Sequence, residues 1–154
     1  MRKTLRSTAI MMSLLAAACG SSTLGPTDTS SGTEAKSATT ASLIGPTWRL
    51  ASIDGRNAVA GVSVTAVFST DDRVAGSAGC NRYFGGAAAT GARLDVGLMA
   101  TTMMYCGAEG VMPQEQAYLS ALEKAKVYRI DGAQLRLGPS AGVVSLVFDR
   151  AVER

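Results

Sequence analysis

Short alternations of apolar and polar residues recur from about residue 43 to the end of the chain, and glycine or aspartate bounds most of them. A period of two residues is typical of a strand with one buried face. In the run 62–68, for example, every second residue is apolar and would lie on the same face. The pattern predicts strands at residues 47–53, 62–68, 73–80, 93–98, 127–130, 134–137 and 143–148.

The connections between these runs indicate how the strands are arranged. Asp131 and Gly132 separate the runs 127–130 and 134–137, and an Asp-Gly pair in this position is typical of a tight hairpin. Short strands with tight turns favour an antiparallel sheet, which is expected to curl or close so that its edges are protected. The sequence therefore predicts a mainly β fold (β-rich α+β): a curled antiparallel sheet or a cracked β-barrel with one α-helix.

The predicted helix lies in the one segment that follows a helical period. Pro113 suits the first turn of a helix, and Lys124 and Lys126 suit its C-terminal end, where cations interact favourably with the helix dipole. Leu119 and Leu122 lie on one stripe at helical spacing. We therefore expect this stripe to face the sheet.

The same stripe carries Glu115 to the interface between helix and sheet. A carboxylate in that position needs hydrogen-bond donors. Three sources are open: solvent, Arg82 or backbone N–H groups of the glycine-rich loop, and a substrate. Asn81 is expected to fasten that loop, because asparagine tolerates left-handed backbone geometry and bonds nearby backbone groups. Asn81, Arg82 and Glu115 are therefore candidates for a structural motif or a binding site.

Residues 1–18 are interpreted as an export signal of the lipoprotein type. A basic start precedes the apolar run 9–18. As a helix this run is roughly 15 Å long, about half the hydrocarbon thickness of a bilayer, so it is too short for a mature membrane anchor. Small residues then lead into Cys19, as they do in a cleavable signal.

The stretch 15–20, with the sequence LAAACG, resembles a bacterial lipobox, whose cysteine is diacylated before the signal is cut. Lipidation of Cys19 would attach the chain to a membrane. The alternative is cleavage by ordinary signal peptidase at the same bond, which leaves Cys19 unmodified. Residues 19–42 are predicted to be a Ser/Thr/Gly-rich tether, because a segment whose one large apolar residue is Leu24 cannot bury enough surface to become ordered.

Composition excludes several classes of chemistry. The chain has no histidine, so Ser-His-Asp and Cys-His nucleophile systems and HExxH zinc sites are excluded. Of 15 basic residues, Arg2, Lys3 and Arg6 lie in the predicted signal, so the part from Cys19 onward has equal numbers of basic and acidic residues. A neutral domain lacks the basic surface of a nucleic-acid binder. We expect no nucleic-acid partner, no metal, no cofactor and no enzyme activity.

Cysteine parity indicates a disulfide. With Cys19 acylated, Cys80 and Cys106 remain as an even pair in an oxidising compartment. Closing that loop would stabilise the fold by roughly 3.5 kcal/mol in a chain-entropy model. The alternatives are two free buried thiols or a redox-active thiol, and the latter is disfavoured because the chain has neither histidine nor a CxxC motif.

The methionines near Cys106 allow two interpretations. They could form a soft site for Cu(I). If residues 101–106 are extended, however, neighbouring side chains point to opposite faces, which separates the thioethers. Packing in the core is therefore the favoured role of the four methionines in this region. They are Met99, Met103, Met104 and Met112.

Three blocks of sequence carry a resemblance to a known family. Residues 78–83 read AGCNRY, residues 100–106 read ATTMMYC, and residues 112–119 read MPQEQAYL. Over residues 43–150, these blocks resemble the signatures of the META/HslJ-like family of bacterial envelope lipoproteins. The resemblance implies a small β-rich, barrel-like domain with one helix, exported or lipid-anchored, and associated with heat induction and tolerance of the antibiotic novobiocin. It implies no catalytic residue.

Two functions follow as hypotheses. The first is a non-catalytic cell-envelope lipoprotein, held in the outer membrane and facing the periplasm, that serves envelope stress maintenance or antibiotic tolerance through protein contacts. The alternative is a carrier that binds a lipid or another small hydrophobic ligand in a barrel-like cavity. A filled core with an exposed apolar patch would favour the first function. An apolar cavity above about 300 Å³ would favour the second. The domain is expected to span residues 43–154 and to be a monomer.

Overall fold

The computed structural model describes residues 43–152, so the predicted signal peptide, Cys19 and the tether lie outside the described residues. Ten strands form one antiparallel sheet, and a helix, α1 (Val111–Glu123), packs against it. This arrangement confirms the predicted fold class. The strands are β1 (Thr47–Ile53), β2 (Arg56–Asn57), β3 (Thr65–Ser69), β4 (Arg73–Ser77), β5 (Arg82–Thr90), β6 (Arg93–Val96), β7 (Ala100–Thr101), β8 (Val127–Asp131), β9 (Gln134–Gly138) and β10 (Leu146–Arg150).

The sheet closes on itself as a ring. Its order runs β1-β3-β4-β5-β6-β8-β9-β10, and β10 pairs again with β1. The junction of β6 and β8 is short, because Arg93 and Val127 form the one residue pair between these strands. The sheet is therefore ring-like but not a regular barrel. Next to the junction of β1 and β10, the backbone N–H of Ala151 donates to the carbonyl of Thr47 at 2.8 Å, so the first and last strands of the domain are neighbours.

The strand positions follow the hydrophobic pattern where that pattern is regular. β1 has the predicted bounds, and β8 and β9 form the predicted hairpin, with Gly132 in the left-handed region at φ 59°. The prediction of a strand from residue 143 is wrong, because residues 140–143 form a turn and β10 begins at Leu146. The pattern does not indicate β5 at all, because this strand has the sequence RYFGGAAAT, in which small residues replace the apolar alternation.

Large side chains fill the interior of the ring. α1 contributes Tyr118 and Leu122, both fully buried, and it lies against β1 and β10. These side chains form one hydrophobic core, and protein cores are close-packed. The largest fully buried side chains include Trp48, Phe68, Tyr83, Leu94, Tyr118, Leu122, Leu135, Leu137, Leu146 and Phe148. Within the described residues, no helix has the length and apolar character needed to cross a membrane.

A pair of tyrosines places a hydrogen-bonded polar contact inside this core. The hydroxyl of Tyr83 donates to the carbonyl of Thr65 at 3.0 Å, and the hydroxyl of Tyr118 lies 2.6 Å from that of Tyr83. Because Tyr83 uses its proton for Thr65, Tyr118 donates to Tyr83. Burial raises the pKa of Tyr83, and also that of Tyr118, so both rings stay neutral. The pair links α1 to β5 and β3.

The close approach of β4 to β3 generates the first prediction. A Cβ at Gly76 would lie 1.9 Å from the carbonyl oxygen of Thr65, which is backbone and cannot move aside. We expect Gly76→Ala to lower the free energy of unfolding by about 2 kcal/mol or more in urea denaturation, as other overpacked sites do. Gly86→Ala is the matched control, because a Cβ at Gly86 meets nothing within 4 Å. Equal stability of the two variants would contradict this account.

Candidate functional site

The carboxylate of Glu115 is buried, with 6% of the residue exposed, at the contact between α1 and the turn before β5. Its Oε2 accepts hydrogen bonds from the backbone N–H groups of Cys80, at 3.1 Å, and Asn81, at 2.7 Å. Its Oε1 accepts a third from Asn81 Nδ2 at 2.6 Å. Hydrogen bonds to an ionised group are stronger than neutral ones and offset the loss of water. The sequence left three sources of donors open for this carboxylate: solvent, Arg82 or backbone N–H groups of the glycine-rich loop, and a substrate. In the structure, backbone N–H groups of that loop are donors.

Asn81 joins Glu115 to the segment that follows β7. The residue is 3% exposed, and its Nδ2 donates to the carbonyl of Met104 at 3.1 Å as well as to Glu115. Its Oδ1 accepts from the Thr102 hydroxyl, at 2.8 Å, and from the backbone N–H of Met104, at 2.7 Å. The side-chain amide of Asn81 therefore has partners for all its donors and acceptors. It bonds both the N–H and the C=O of Met104, as the backbone of a neighbouring strand would.

The prediction that Asn81 fastens its own loop, through left-handed backbone geometry and bonds to nearby backbone groups, is wrong. The residue is not among those with positive φ, and its side-chain partners lie 21 to 34 residues away in sequence. Asparagine is used here for its ability to donate and accept at once, and not for its tolerance of left-handed backbone. The residue does fasten a loop, but that loop is the one after β7.

Cys80 and Cys106 are joined by a disulfide in the structure, with a Cα–Cα distance of 5.9 Å. Because Cys80 precedes Asn81, the disulfide acts next to the hydrogen bonds just described. The segment after β7 is consequently held at three points along its length. Thr102 donates its backbone N–H to Arg82, Met104 is held by Asn81, and Cys106 is held by Cys80.

Arg82 differs from the other two candidate residues. Its backbone N–H donates to the Thr102 hydroxyl at 3.1 Å, whereas its side chain is exposed. No ion pair between Arg82 and Glu115 is present in the described part of the chain. The structure thus brings Asn81 and Glu115 into one network, to which Arg82 contributes backbone groups.

The fastened segment displays three consecutive apolar side chains to solvent. Met103 is 99% exposed, Met104 61% and Tyr105 84%, and we name Met103–Tyr105 the apolar loop. The prediction that Met103 and Met104 pack in the core is wrong. The extended backbone ends with β7, and beyond it the hydrogen bonds with Asn81 hold the chain so that both side chains face solvent. Met99, by contrast, is partly buried against the core.

Neither a metal centre nor a lipid-sized enclosed site is evident on residues 43–152. No group of three or more Cys, Asp or Glu residues in this range could hold a metal ion. A groove of about 810 Å³ lies at the junction of β6 and β8, but it opens to the surface, and polar residues line part of it. Lys126 and Asp95 form an exposed ion pair there, with a distance of 3.2 Å.

The comparison with known families decides the identity of the domain. A model described as META domain matches residues 41–152. The chain belongs to the META domain family. The resemblance of its sequence blocks to this family is therefore confirmed. The Asn81–Glu115 network joins all three of those blocks, because residues 78–83, 100–106 and 112–119 each contribute a partner.

Solved structures place this META domain among similar folds. It is similar to a protein from Burkholderia xenovorans solved by NMR, with 27% identity and a TM-score of 0.55 over 83% of this chain and 99% of that chain. It is also similar in fold to a second NMR structure, with 20% identity and a TM-score of 0.54 over 68% of this chain and 88% of that chain. A comparison with curated proteins finds no match.

Sequence reasoning missed Thr102 and Met104 as members of the network. Thr102 supplies a hydroxyl to Asn81, and Met104 contributes only its backbone, which no side-chain pattern can indicate. The available signal was the block ATTMMYC itself, because it places a polar residue between a strand and a cysteine. That signal indicates a fastened loop but not the residue that fastens it.

The Glu115 network generates the second prediction. Glu115→Gln keeps the shape of the side chain but places an N–H group against the donors of Cys80 and Asn81. We expect the free energy of unfolding to fall by about 2 kcal/mol, because at least one buried donor loses its acceptor. Glu109→Gln, at an exposed position just before α1, is the control and should change it by less than about 0.5 kcal/mol. Urea denaturation measures both, and an unchanged Glu115→Gln variant would count against the network.

Proposed function

We propose that this META domain protein is a non-catalytic, lipid-anchored protein of the bacterial cell envelope that acts through contacts between its apolar loop and other envelope proteins. The observation that carries the proposal is the apolar loop itself, three consecutive large apolar residues held outward by Asn81 and a disulfide. An exposed apolar patch on a folded domain is typical of an interaction site.

The fastening of the apolar loop supports contact with a partner. A loop that is already held in place loses little conformational entropy when it binds, so more of the contact energy appears as affinity. Hydrogen bonds with Asn81 on one side and the Cys80–Cys106 disulfide on the other supply that order before any partner arrives. Methionine and tyrosine are also enriched at protein interfaces.

The carrier alternative has less support. A lipid or another hydrophobic ligand would need an apolar cavity inside the ring. Tyr118, Leu122 and the aromatic side chains of the strands occupy that space. The contact function needs no cavity, and the filled core provides a rigid support for the loop.

Anchoring through Cys19 is the second part of the proposal. The basic start, the apolar run and the LAAACG stretch support export and acylation. The Cys80–Cys106 disulfide suits an oxidising compartment outside the cytosol. We place the protein in the outer membrane, facing the periplasm, and assign its contacts to envelope stress maintenance or antibiotic tolerance, as the family resemblance implies.

Site-specific photo-crosslinking tests the contact function. The photoreactive residue benzoylphenylalanine replaces Tyr105 in the full-length protein, and cells are irradiated. We expect discrete protein adducts, because Tyr105 is 84% exposed and belongs to the apolar loop that forms the proposed contact. Adding Met103→Ser and Met104→Ser should lower the adduct yield by about fivefold or more, the effect of losing about 1 kcal/mol of contact energy.

The control places the same photoreactive residue at Val152, which is 86% exposed beyond β10. Protein adducts at Tyr105 that are absent at Val152 would support the proposal. Equal adducts at both positions, or adducts with phospholipid alone at Tyr105, would refute it.

Replacement of Cys19 tests the anchor. Without its thiol, Cys19→Ser cannot be acylated, so we expect the protein to leave the detergent phase in a phase-partitioning assay of whole envelopes. Cys80→Ser combined with Cys106→Ser is the matched control, because it removes the two disulfide cysteines but leaves Cys19 in place. If Cys19→Ser partitions as the unaltered protein does, the chain has no lipid at this residue.

A further inference from the structure

The methionines of the described residues differ in their access to solvent. Met103 is 99% exposed and Met104 61%, whereas Met99 and Met112 are partly buried. A thioether is oxidised according to how readily an oxidant in solution reaches its sulfur. The two methionines of the apolar loop are therefore the ones that a dissolved oxidant meets first.

Met99 has a covered thioether because β5 carries no side chain beside it. A Cβ at Gly85 would lie 2.5 Å from Met99 Cε and 2.8 Å from its Sδ, so the end of Met99 occupies the space that a side chain at Gly85 would need. Met99 also packs against the core. A sulfoxide is polar, and burying a polar group without a partner is costly. The methionine whose oxidation would destabilise the fold is thus the one that the sheet covers.

The position of the apolar loop does not depend on its sulfur atoms. Asn81 bonds Met104 through the backbone N–H, at 2.7 Å, and the backbone C=O, at 3.1 Å. The Cys80–Cys106 disulfide holds the residue that follows the loop, and its two sulfurs are already oxidised. The side chains of Met103 and Met104 can therefore change chemically while the backbone of the loop stays in place.

Oxidation would change the property of the loop on which the proposed contact depends. A thioether is apolar, whereas a sulfoxide is polar and accepts hydrogen bonds. Two sulfoxides would leave Tyr105 as the one apolar side chain of the loop. At an apolar contact, a sulfoxide loses its water without gaining a donor, which is costly. The same two methionines can thus exist in a form that favours contact and in a form that opposes it.

We propose that Met103 and Met104 form a reversible oxidation site, at which peroxide converts both thioethers to sulfoxides and thereby switches off the contact made by the apolar loop. This switch rests on the proposed contact function and adds its regulation. In each step the sulfur lone pair attacks one oxygen of hydrogen peroxide. An S–O bond forms and the O–O bond breaks, a proton moves to the leaving oxygen, and water is released. The sulfur loses two electrons and the peroxide gains them.

A methionine sulfoxide reductase supplies the reverse step. It removes the sulfoxide oxygen as water, with two electrons from a pair of thiols that become a disulfide. Two reductases are needed, because the sulfur of a sulfoxide is chiral and each enzyme acts on one epimer. The Cys80–Cys106 disulfide suits an oxidising compartment, where an exposed thioether meets oxidants directly.

Peptide mass mapping of the full-length protein after treatment with hydrogen peroxide tests the site itself. We expect Met103 and Met104 to gain one oxygen each at least about tenfold faster than Met99, because exposure sets the order of oxidation. The midpoint of urea unfolding should stay within about 0.2 M of that of the untreated protein. Treatment with both reductases and a thiol reductant should remove the added oxygens. Untreated protein taken through the same reduction controls for loss of the disulfide.

Photo-crosslinking tests the effect of oxidation on the contact. Purified full-length protein with benzoylphenylalanine at Tyr105 is oxidised, freed of peroxide and irradiated with solubilised envelopes. We expect oxidation to lower the yield of protein adducts by about fivefold or more. Met103→Leu combined with Met104→Leu keeps apolar side chains that peroxide cannot oxidise, so peroxide should change the yield of this variant by less than about twofold. Met112→Leu is the matched control, because it removes a thioether outside the loop and should leave the effect of peroxide intact.

Several results would overturn the inference. They are oxidation of Met99 or Met112 as fast as that of Met103, unfolding at lower urea after oxidation, and sulfoxides that both reductases leave in place. An adduct yield that peroxide does not lower, or lowers equally in the leucine variant of the loop, would overturn the switch and leave the contact function intact. Absence of adducts from the unoxidised protein would refute the contact function and with it the switch, whereas the mass mapping would still decide the oxidation site.

Discussion

The hydrogen bonds between the Glu115 carboxylate and the backbone N–H groups of Cys80 and Asn81 hold helix α1 to the turn before β5. A buried carboxylate is costly unless donors surround it, so its presence constrains every element that supplies one. Here those elements are helix α1 and the turn before β5, and Asn81 extends the same network to the segment after β7. The disulfide at Cys80 adds a covalent tie at the same place. The positions of α1, the turn before β5 and the segment after β7 therefore depend on the carboxylate of Glu115.

Under the proposed contact function, the binding features of the domain lie on its surface and not in its interior. The ring of strands is filled by side chains from the sheet and from α1, and that packing gives the surface a rigid support. The feature that remains available for binding is exposed: it is the apolar loop. The proposed contact function therefore depends on the surface of the domain, because function resides in sites carried on a fold and not in the fold as such.

Local patterns in the sequence predict the regular elements, and long-range contacts explain the rest. β1 and the β8–β9 hairpin follow from alternation and turn chemistry, and the stripe on α1 correctly places Glu115 at the interface. β5 could not be predicted, because its small residues carry no periodic signal and it forms through its neighbours in the sheet. The exposure of Met103 and Met104 depends on Asn81, which is more than 20 residues away, so no local rule indicates it.

The pairing of β1 with β10 has a consequence for the engineering and evolution of this fold. Because Ala151 donates to Thr47, the two ends of the domain lie side by side. Chain termini that meet in this way can be joined by a short linker, and new termini can be opened in a surface turn such as that at Gly132 without loss of the sheet. The same geometry suits insertion of the whole domain into a loop of a host protein. The two host residues that flank the insertion would then stay close together.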